Sequence, residues 1–378
     1  MFETKKETER GVLVAVAPKF QSDEKTTEYL DELDFLAQTL GLKIEKRFSQ
    51  KLEHPERRTF IGSGKLNEIK EYITVEDIKN VIFDDDLSPS QLRNLENELK
   101  VTIYDRSLLI LEIFLNRAKT NQARTQVELA RYQYLLPRLT RMWTHLERQR
   151  GGTGTRGGSG EKEIETDRRI IRNQITLLRK KLDKIETQAA TRRKSRDGVV
   201  RVAFVGYTNA GKSTLMKLLS REDVYAKDEL FATVDSTVRK VVLNDIPFLL
   251  SDTVGFIRKL PHSLIESFKS TLAEVSEADV LLHVIDVSNL SYNEHVKVVE
   301  ETLEEIGASQ IPTIKIYNKS DQIADQSEIP EHYQISKEGI YVSAKTKFQI
   351  DELKVMIGQA VAKKHYQIYP NYLKPETY

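Results

Sequence analysis

The sequence contains no cysteine. Disulfides, thiolate metal sites and cysteine nucleophiles are excluded, and the composition suits a reducing, cytoplasmic compartment. Histidine is scarce as well: there are seven, scattered singly, with no metal-ligand spacing among them. No apolar run approaches the roughly 20 residues of a membrane helix, so no integral membrane association is expected. Gly11–Pro18 (GVLVAVAP) follows a charged start, but its apolar run is too short for a signal peptide and Lys19 comes next. It reads as a first β-strand. A dominant charge sign is also missing, with Lys+Arg 58 against Asp+Glu 57. Affinity for a polyanion must therefore come from a local patch.

What remains is enough for several cores. At 378 residues, 39% hydrophobic and 30% charged, the chain predicts two or three globular domains at one per ~150 residues. Residues 1–106 alternate short β-rich runs with amphipathic helical ones, the pattern of a small α/β domain with a mainly parallel sheet. Ser88-Pro89 is a helix start. Phe60-Ile61-Gly62-Ser63-Gly64-Lys65 lacks the spacing of a phosphate loop and reads as a turn before a helix.

From Ser107 to Arg148 the pattern becomes one long helix. Leu129, Tyr132, Leu136, Leu139, Trp143 and Leu146 alternate spacings of three and four, the seam of a coiled coil, and Pro137 is placed to kink it. After RGGTGTRGGSG (150–160), Ile171, Ile175, Leu178, Leu182, Ile185 and Ala189 repeat that spacing to about Arg193. Residues 107–197 thus predict an antiparallel helical hairpin with a glycine-rich tip. Arg117, Arg124, Arg131 and Arg138 recur every seven residues, with Arg141 and Arg148 on the adjoining row and Arg150 and Arg156 in the tip. Between Arg117 and Gly160 nine Arg/Lys stand against Glu128 and Glu147. A solvated helix face is the ordinary use of such charges; this one-signed excess points instead to RNA phosphates.

Residues 198–362 carry four motifs in order. Gly206, Tyr207, Thr208, Asn209, Ala210, Gly211, Lys212 and Ser213, followed by Thr214, fit G-x-x-x-x-G-K-[ST] between an apolar strand and a helix. Backbone amides would wrap the phosphates, Lys212 would neutralise the β and γ oxygens, and Ser213 would ligate Mg2+. Asp252, Thr253, Val254 and Gly255 supply D-x-x-G after a strand, with Asp252 on Mg2+ and the Gly255 amide sensing the γ-phosphate. Asn318, Lys319 and Asp321 fit N-K-x-D, whose aspartate can accept from guanine N1 and N2. Ser343, Ala344 and Lys345 close the base pocket, with the Ala344 amide available to guanine O6. Phe231, Ala232, Thr233 and Val234 lie between the first two motifs, where a switch closes over Mg2+. Thr233 is the chosen ligand and Thr237 its rival. Lys212, Asn209, Thr233 and Gly255 are the catalytic candidates. Phe256 stands where a Ras-like enzyme has a water-orienting glutamine, so hydrolysis should be slow without help. Residues 363–378 carry no motif.

Through GYTNAGKSTL, LFATVDSTVR, SDTVGFIRKLPHSLIESFKSTL, NKSD and SAK, with FIGSGKLNEI, FDDDLSPSQLRNLE, YDRSLLILEIF, ARTQVELA and RGGTGTRGGSGE upstream, the chain resembles the HflX branch of the Obg-like GTPases. Ser236 stands where that family is expected to have proline. The resemblance implies a P-loop GTPase that binds the large ribosomal subunit and splits or rescues stalled ribosomes under stress. It also implies an ATP-dependent RNA-remodelling activity in the N-terminal region, for which no motif places the ATP. Asn209 holds the fourth loop position, where related potassium-using GTPases place an asparagine to ligate K+; support of the loop alone is the competing reading. DNA is not among the partners expected. A GTP-gated protein regulator and an RNA-modification GTPase are the competing readings; the absence of cysteine weakens the second.

Overall fold

The computed structural model describes residues 9–139, 160–194, 198–220, 230–231, 235, 237–261, 264, 269–323, 335–336 and 339–372. The chain divides into two compact units. The first takes in residues 1–116, 124–182 and 261–267; the second takes in 117–123, 183–260 and 268–378.

The first unit holds a four-stranded parallel sheet of order β2-β1-β3-β4, built from β1 (Arg10–Ala17), β2 (Lys43–Lys51), β3 (Asn80–Phe83) and β4 (Thr102–Tyr104). Central β1 and β3 are apolar and buried almost throughout, as strands covered on both faces must be. Helices α1 (Asp23–Leu40), α2 (Ser63–Val75) and α3 (Pro89–Leu99) connect them. Gly62 is the N-cap residue of α2, so FIGSGK runs from the predicted turn into the first turn of the helix. Ser88 caps α3 in a capping box with Gln91, with Pro89 in the first turn.

Within its described part, to residue 139, the predicted long helix is broken in two. α4 (Arg106–Arg117) ends, three residues intervene, and α5 (Asn121–Leu135) follows. Asp105 caps α4 by accepting from the Leu108 amide at 2.8 Å. Pro137 sits in a 3-10 turn, Leu136–Arg138. α6 (Gly160–Lys194) is the predicted second helix. Leu129 and Leu139 bury with Ile171, Ile175, Leu178 and Leu182 in one apolar cluster, so the two seams do meet. This cluster belongs to the same compact unit as the N-terminal sheet.

The second unit is a seven-stranded sheet of order β10-β11-β9-β8-β5-β7-β6. Its strands are β5 (Val200–Gly206), β6 (Thr237–Leu243), β7 (Ile246–Asp252), β8 (Val280–Asp286), β9 (Thr313–Asn318), β10 (Ile335–Ser336) and β11 (Gly339–Tyr341). The five inner strands are parallel and only the edges, β6 and β10, run antiparallel. α7 (Lys212–Ser220), α8 (Lys269–Ser276), α9 (Tyr292–Glu305) and α10 (Ile350–Ile368) complete the unit. The core packs Phe204, Leu215 and Phe248 against Leu353 and Ile357. α10 carries on to Ile368, beyond the boundary at 362 that the motifs suggest. No helix among the described residues is long and apolar enough to cross a membrane.

Candidate functional site

Because the inner strands are parallel, Gly206, Asp252 and Asn318 end β5, β7 and β9 on one edge of the sheet, and Ser343 follows β11 there. That edge is where open α/β sheets bind ligands. Gly206 (φ 148°) must be glycine, since a Cβ would collide with the Val284 carbonyl of β8. Gly211 (φ 100°) is similarly restricted, its Cβ position falling on the Asn318 carboxamide. The left-handed Asn209 (φ 59°) completes the turn into α7.

Lys212 is buried and its ammonium donates to the carbonyls of Gly206 (3.0 Å) and Tyr207 (2.7 Å), which caps the loop. Burial pushes its pKa down to about 8, with Asp252 opposing the shift. The Ser213 hydroxyl donates to Asp252 Oδ2 at 2.6 Å. This pair is an all-oxygen donor set at the start of α7, and it suits Mg2+, which takes few protein ligands and keeps its waters. No cluster of three or more His, Cys, Asp or Glu exists among the described residues. Thr237 stands opposite Asp252 in the β6–β7 register. Thr233, with Ala232, Val234 and Ser236, lies outside the described residues, while Phe231 is buried.

The D-x-x-G segment runs back over the phosphate loop. Phe256 N–H donates to the Gly206 carbonyl (3.1 Å) and Thr208 N–H to the Phe256 carbonyl (2.7 Å). The Arg258 amide donates to the Tyr207 hydroxyl at 2.9 Å, and His295 of α9 stacks on the Tyr207 ring with centroids 3.8 Å apart. Thr253 donates to the Phe204 carbonyl.

At the base end, Asn318 is a staple. Its Nδ2 donates to the Ala210 carbonyl (2.8 Å) and its Oδ1 accepts from the Ala344 amide (3.0 Å). In this arrangement the Ala344 amide, the donor expected to meet guanine O6, donates to Asn318. Ser343 donates to Asp321 Oδ1 at 2.6 Å and orients that carboxylate. Lys319 (φ 63°) pairs with Asp286 of β8 at 2.7 Å, and Lys345 is exposed.

The arginine stripe fares differently. Arg131 pairs with Glu112 at 2.7 Å. Arg138 donates to the carbonyls of Leu87 (2.9 Å) and Tyr134 (3.0 Å), lies over the Tyr134 ring and stands 3.6 Å from Asp105. Both are structural, because carboxylates and carbonyls of neighbouring elements meet them, and neither belongs to an open basic face. Arg117 and Arg124 fall on different helices, with Arg124 exposed; Arg141, Arg148, Arg150, Arg156 and the tip 151–159 lie outside the described residues. Two features escaped the sequence reading. Asp235 accepts from the amides of Lys119 (2.9 Å) and Thr120 (3.3 Å) and from the Thr120 hydroxyl, at the link before α5. On α6, Arg169, Arg172, Arg179 and Lys180 are all exposed.

Three family models match in succession: GTP-binding GTPase N-terminal over 27–115, GTP-binding GTPase middle region over 117–196, and 50S ribosome-binding GTPase over 201–319. The GTPase HflX of Flavobacterium psychrophilum is 48% identical over 383 residues, covering 96% of this chain and 92% of that protein. The chain belongs to the HflX family of GTPases. The HflX of Escherichia coli K12 is 41% identical, with 93% of this chain and 83% of that protein covered. Among solved structures, SsGBP in complex with GDP aligns at a TM-score of 0.52 and 26% identity, covering 94% of this chain and 99% of that one. The HflX match and the strand-end motifs agree: this is a GTP-binding, GTP-hydrolysing fold of the P-loop type, as the sequence motifs predict.

Proposed function

We propose that this chain is a Mg2+-dependent GTP switch that binds the large ribosomal subunit and splits or rescues stalled 70S ribosomes, slow alone and accelerated by its target. The observation that carries the reading is the convergence of Lys212, Asp252, Asn318 and Asp321 at one sheet edge, in a chain whose GTPase segment matches a 50S ribosome-binding model. Ser213 and Asp252 would hold Mg2+, which would supply positive charge to the phosphates. Asn209, left-handed at the fourth loop position, offers its carbonyl to K+. Equal GTPase rates in potassium and sodium buffers would remove that ion from the proposal.

With Arg131 and Arg138 engaged elsewhere, the rRNA phosphates fall to the exposed α6 residues Arg169, Arg172, Arg179 and Lys180, together with the tip around Arg150 and Arg156. Binding of that kind weakens steeply with salt, because each neutralised phosphate releases counterion. The test pellets the wild type and an Arg172→Glu, Arg179→Glu variant with large subunits across a salt series under a non-hydrolysable GTP analogue, then follows 70S dissociation by light scattering. Weaker pelleting with a flatter salt slope for the variant, and splitting by the wild type, are expected. A wild type that neither pellets with large subunits nor splits 70S refutes the ribosomal reading and favours a GTP-gated protein regulator.

A further inference from the structure

Thr208 holds the third position of the phosphate loop and is 7% exposed. Its hydroxyl oxygen is buried and has no hydrogen-bond partner among the described residues. Buried hydroxyls nearly always find a partner, and an orphan inside a binding loop points to a ligand atom that completes it. Its surroundings say which ligand atom. A methyl built on Gly255 would stand 2.9 Å from Lys212 Nζ, 2.9 Å from Thr208 Cα and 3.0 Å from Thr208 Cγ2. Thr208 therefore adjoins both the ammonium that neutralises the terminal phosphate and the glycine whose amide meets it. The ladder between Thr208 and Phe256 fixes this approach through backbone bonds.

The neighbouring switch residue contributes no polar group to that point. Phe256 is 2% exposed, and its ring packs in the interior. We propose that the Thr208 hydroxyl is a catalytic group that holds the attacking water against the γ-phosphate of GTP, in the role a polar side chain at position 256 would otherwise fill. The inference rests on the reading of this loop as the GTP site. In the step, the water oxygen forms a bond to the γ-phosphorus while the bond from phosphorus to the βγ-bridging oxygen breaks, its electron pair leaving with GDP. One water proton passes to a γ-phosphate oxygen and the other stays on the new P–OH, so the products are GDP and dihydrogen phosphate. The threonine hydroxyl exchanges hydrogen bonds only and ends unchanged. A misplaced nucleophile costs up to about 100-fold in rate.

The test measures single-turnover GTP hydrolysis at saturating GTP for full-length wild type, Thr208→Ser, Thr208→Val and Thr208→Ala, alongside affinities for fluorescent GDP and a non-hydrolysable GTP analogue. Valine keeps the shape and loses the hydroxyl; serine keeps the hydroxyl. The expected result is a fall of about 10- to 100-fold in the chemical rate for valine and alanine, affinities within about threefold of wild type, and a serine variant close to wild type. Where valine fails to fold, the serine and alanine pair decides. Hydrolysis by valine or alanine within threefold of wild type overturns the inference, as does a serine variant as slow as alanine, or affinity falling in step with rate. A wild type that binds no guanine nucleotide sinks the site reading itself, and the inference with it.

Discussion

Replacing Asn318 by alanine tests whether the base pocket is held to the phosphate loop by one side chain. Asn318 is 2% exposed and makes two hydrogen bonds, to the Ala210 carbonyl at 2.8 Å and from the Ala344 amide at 3.0 Å. Alanine removes both and leaves a buried carbonyl and a buried amide unmatched, each costing about 1–3 kcal/mol. Part of that cost is recovered as water enters the vacated volume, so a net loss of about 2–4 kcal/mol is expected. The two bonds join the segments that hold phosphate and base, and the loss should appear in nucleotide affinity. It corresponds to roughly 30- to 1000-fold weaker GDP binding. Fluorescent-GDP titration measures this, with thermal unfolding of the nucleotide-free protein in parallel to show how much of the cost falls on the fold. Affinity within threefold of wild type would refute the staple.

Asp321→Asn should weaken GTP and favour xanthosine triphosphate, because an amide cannot accept from both guanine donors while a buried donor is left unmatched; undiminished GTP hydrolysis at low concentration would reject the assignment. His283 on β8 is 2% exposed, and burial, with Lys315 and Lys212 adding to it, pushes its pKa from 6.5 down to about 3. The imidazole is neutral in the fold, so its contribution is present above pH 6.5 and is lost as pH falls from there toward 3, about 5 kcal/mol in all. His283→Leu should flatten acid unfolding over that window, as followed by circular dichroism. Lys212, held near 8 without nucleotide, must be protonated to receive phosphate. GDP affinity should therefore fall about tenfold between pH 7 and pH 9, with proton uptake on binding, measurable by calorimetry in two buffers of different ionisation enthalpy.

The gathering of the candidate nucleotide residues was legible because each motif sits where an apolar strand ends, and a parallel sheet brings such ends to one edge whatever the rest of the chain does. Local chemistry also gave the first strand, the helix start at Ser88-Pro89 and the α6 seam. The break at 118–120 was hidden because the apolar and arginine periodicities run across it. Thr120 starts α5 by accepting from the Ala123 amide at 3.1 Å, and Asp235, more than a hundred residues away, holds Thr120 in place. Arg131 and Arg138 looked like an open stripe for the same reason. Spacing along a helix places residues on a face but says nothing of Glu112 or Asp105 arriving from other elements. Asn318 was legible as a base-pocket residue, yet its bond to Ala344 required the two loops to be seen together.

The most direct test of a ribosome-dependent GTP switch is the rate of GTP hydrolysis by the full-length protein alone, with purified small subunits, and with purified large subunits. Phe256 supplies no water-orienting group, and the Thr208 hydroxyl is left to hold the water without help from position 256, so the account predicts slow turnover alone, little change with small subunits, and an increase of at least about tenfold with large subunits. A rate that large subunits leave unchanged, under salt conditions where the protein pellets with them, would contradict it.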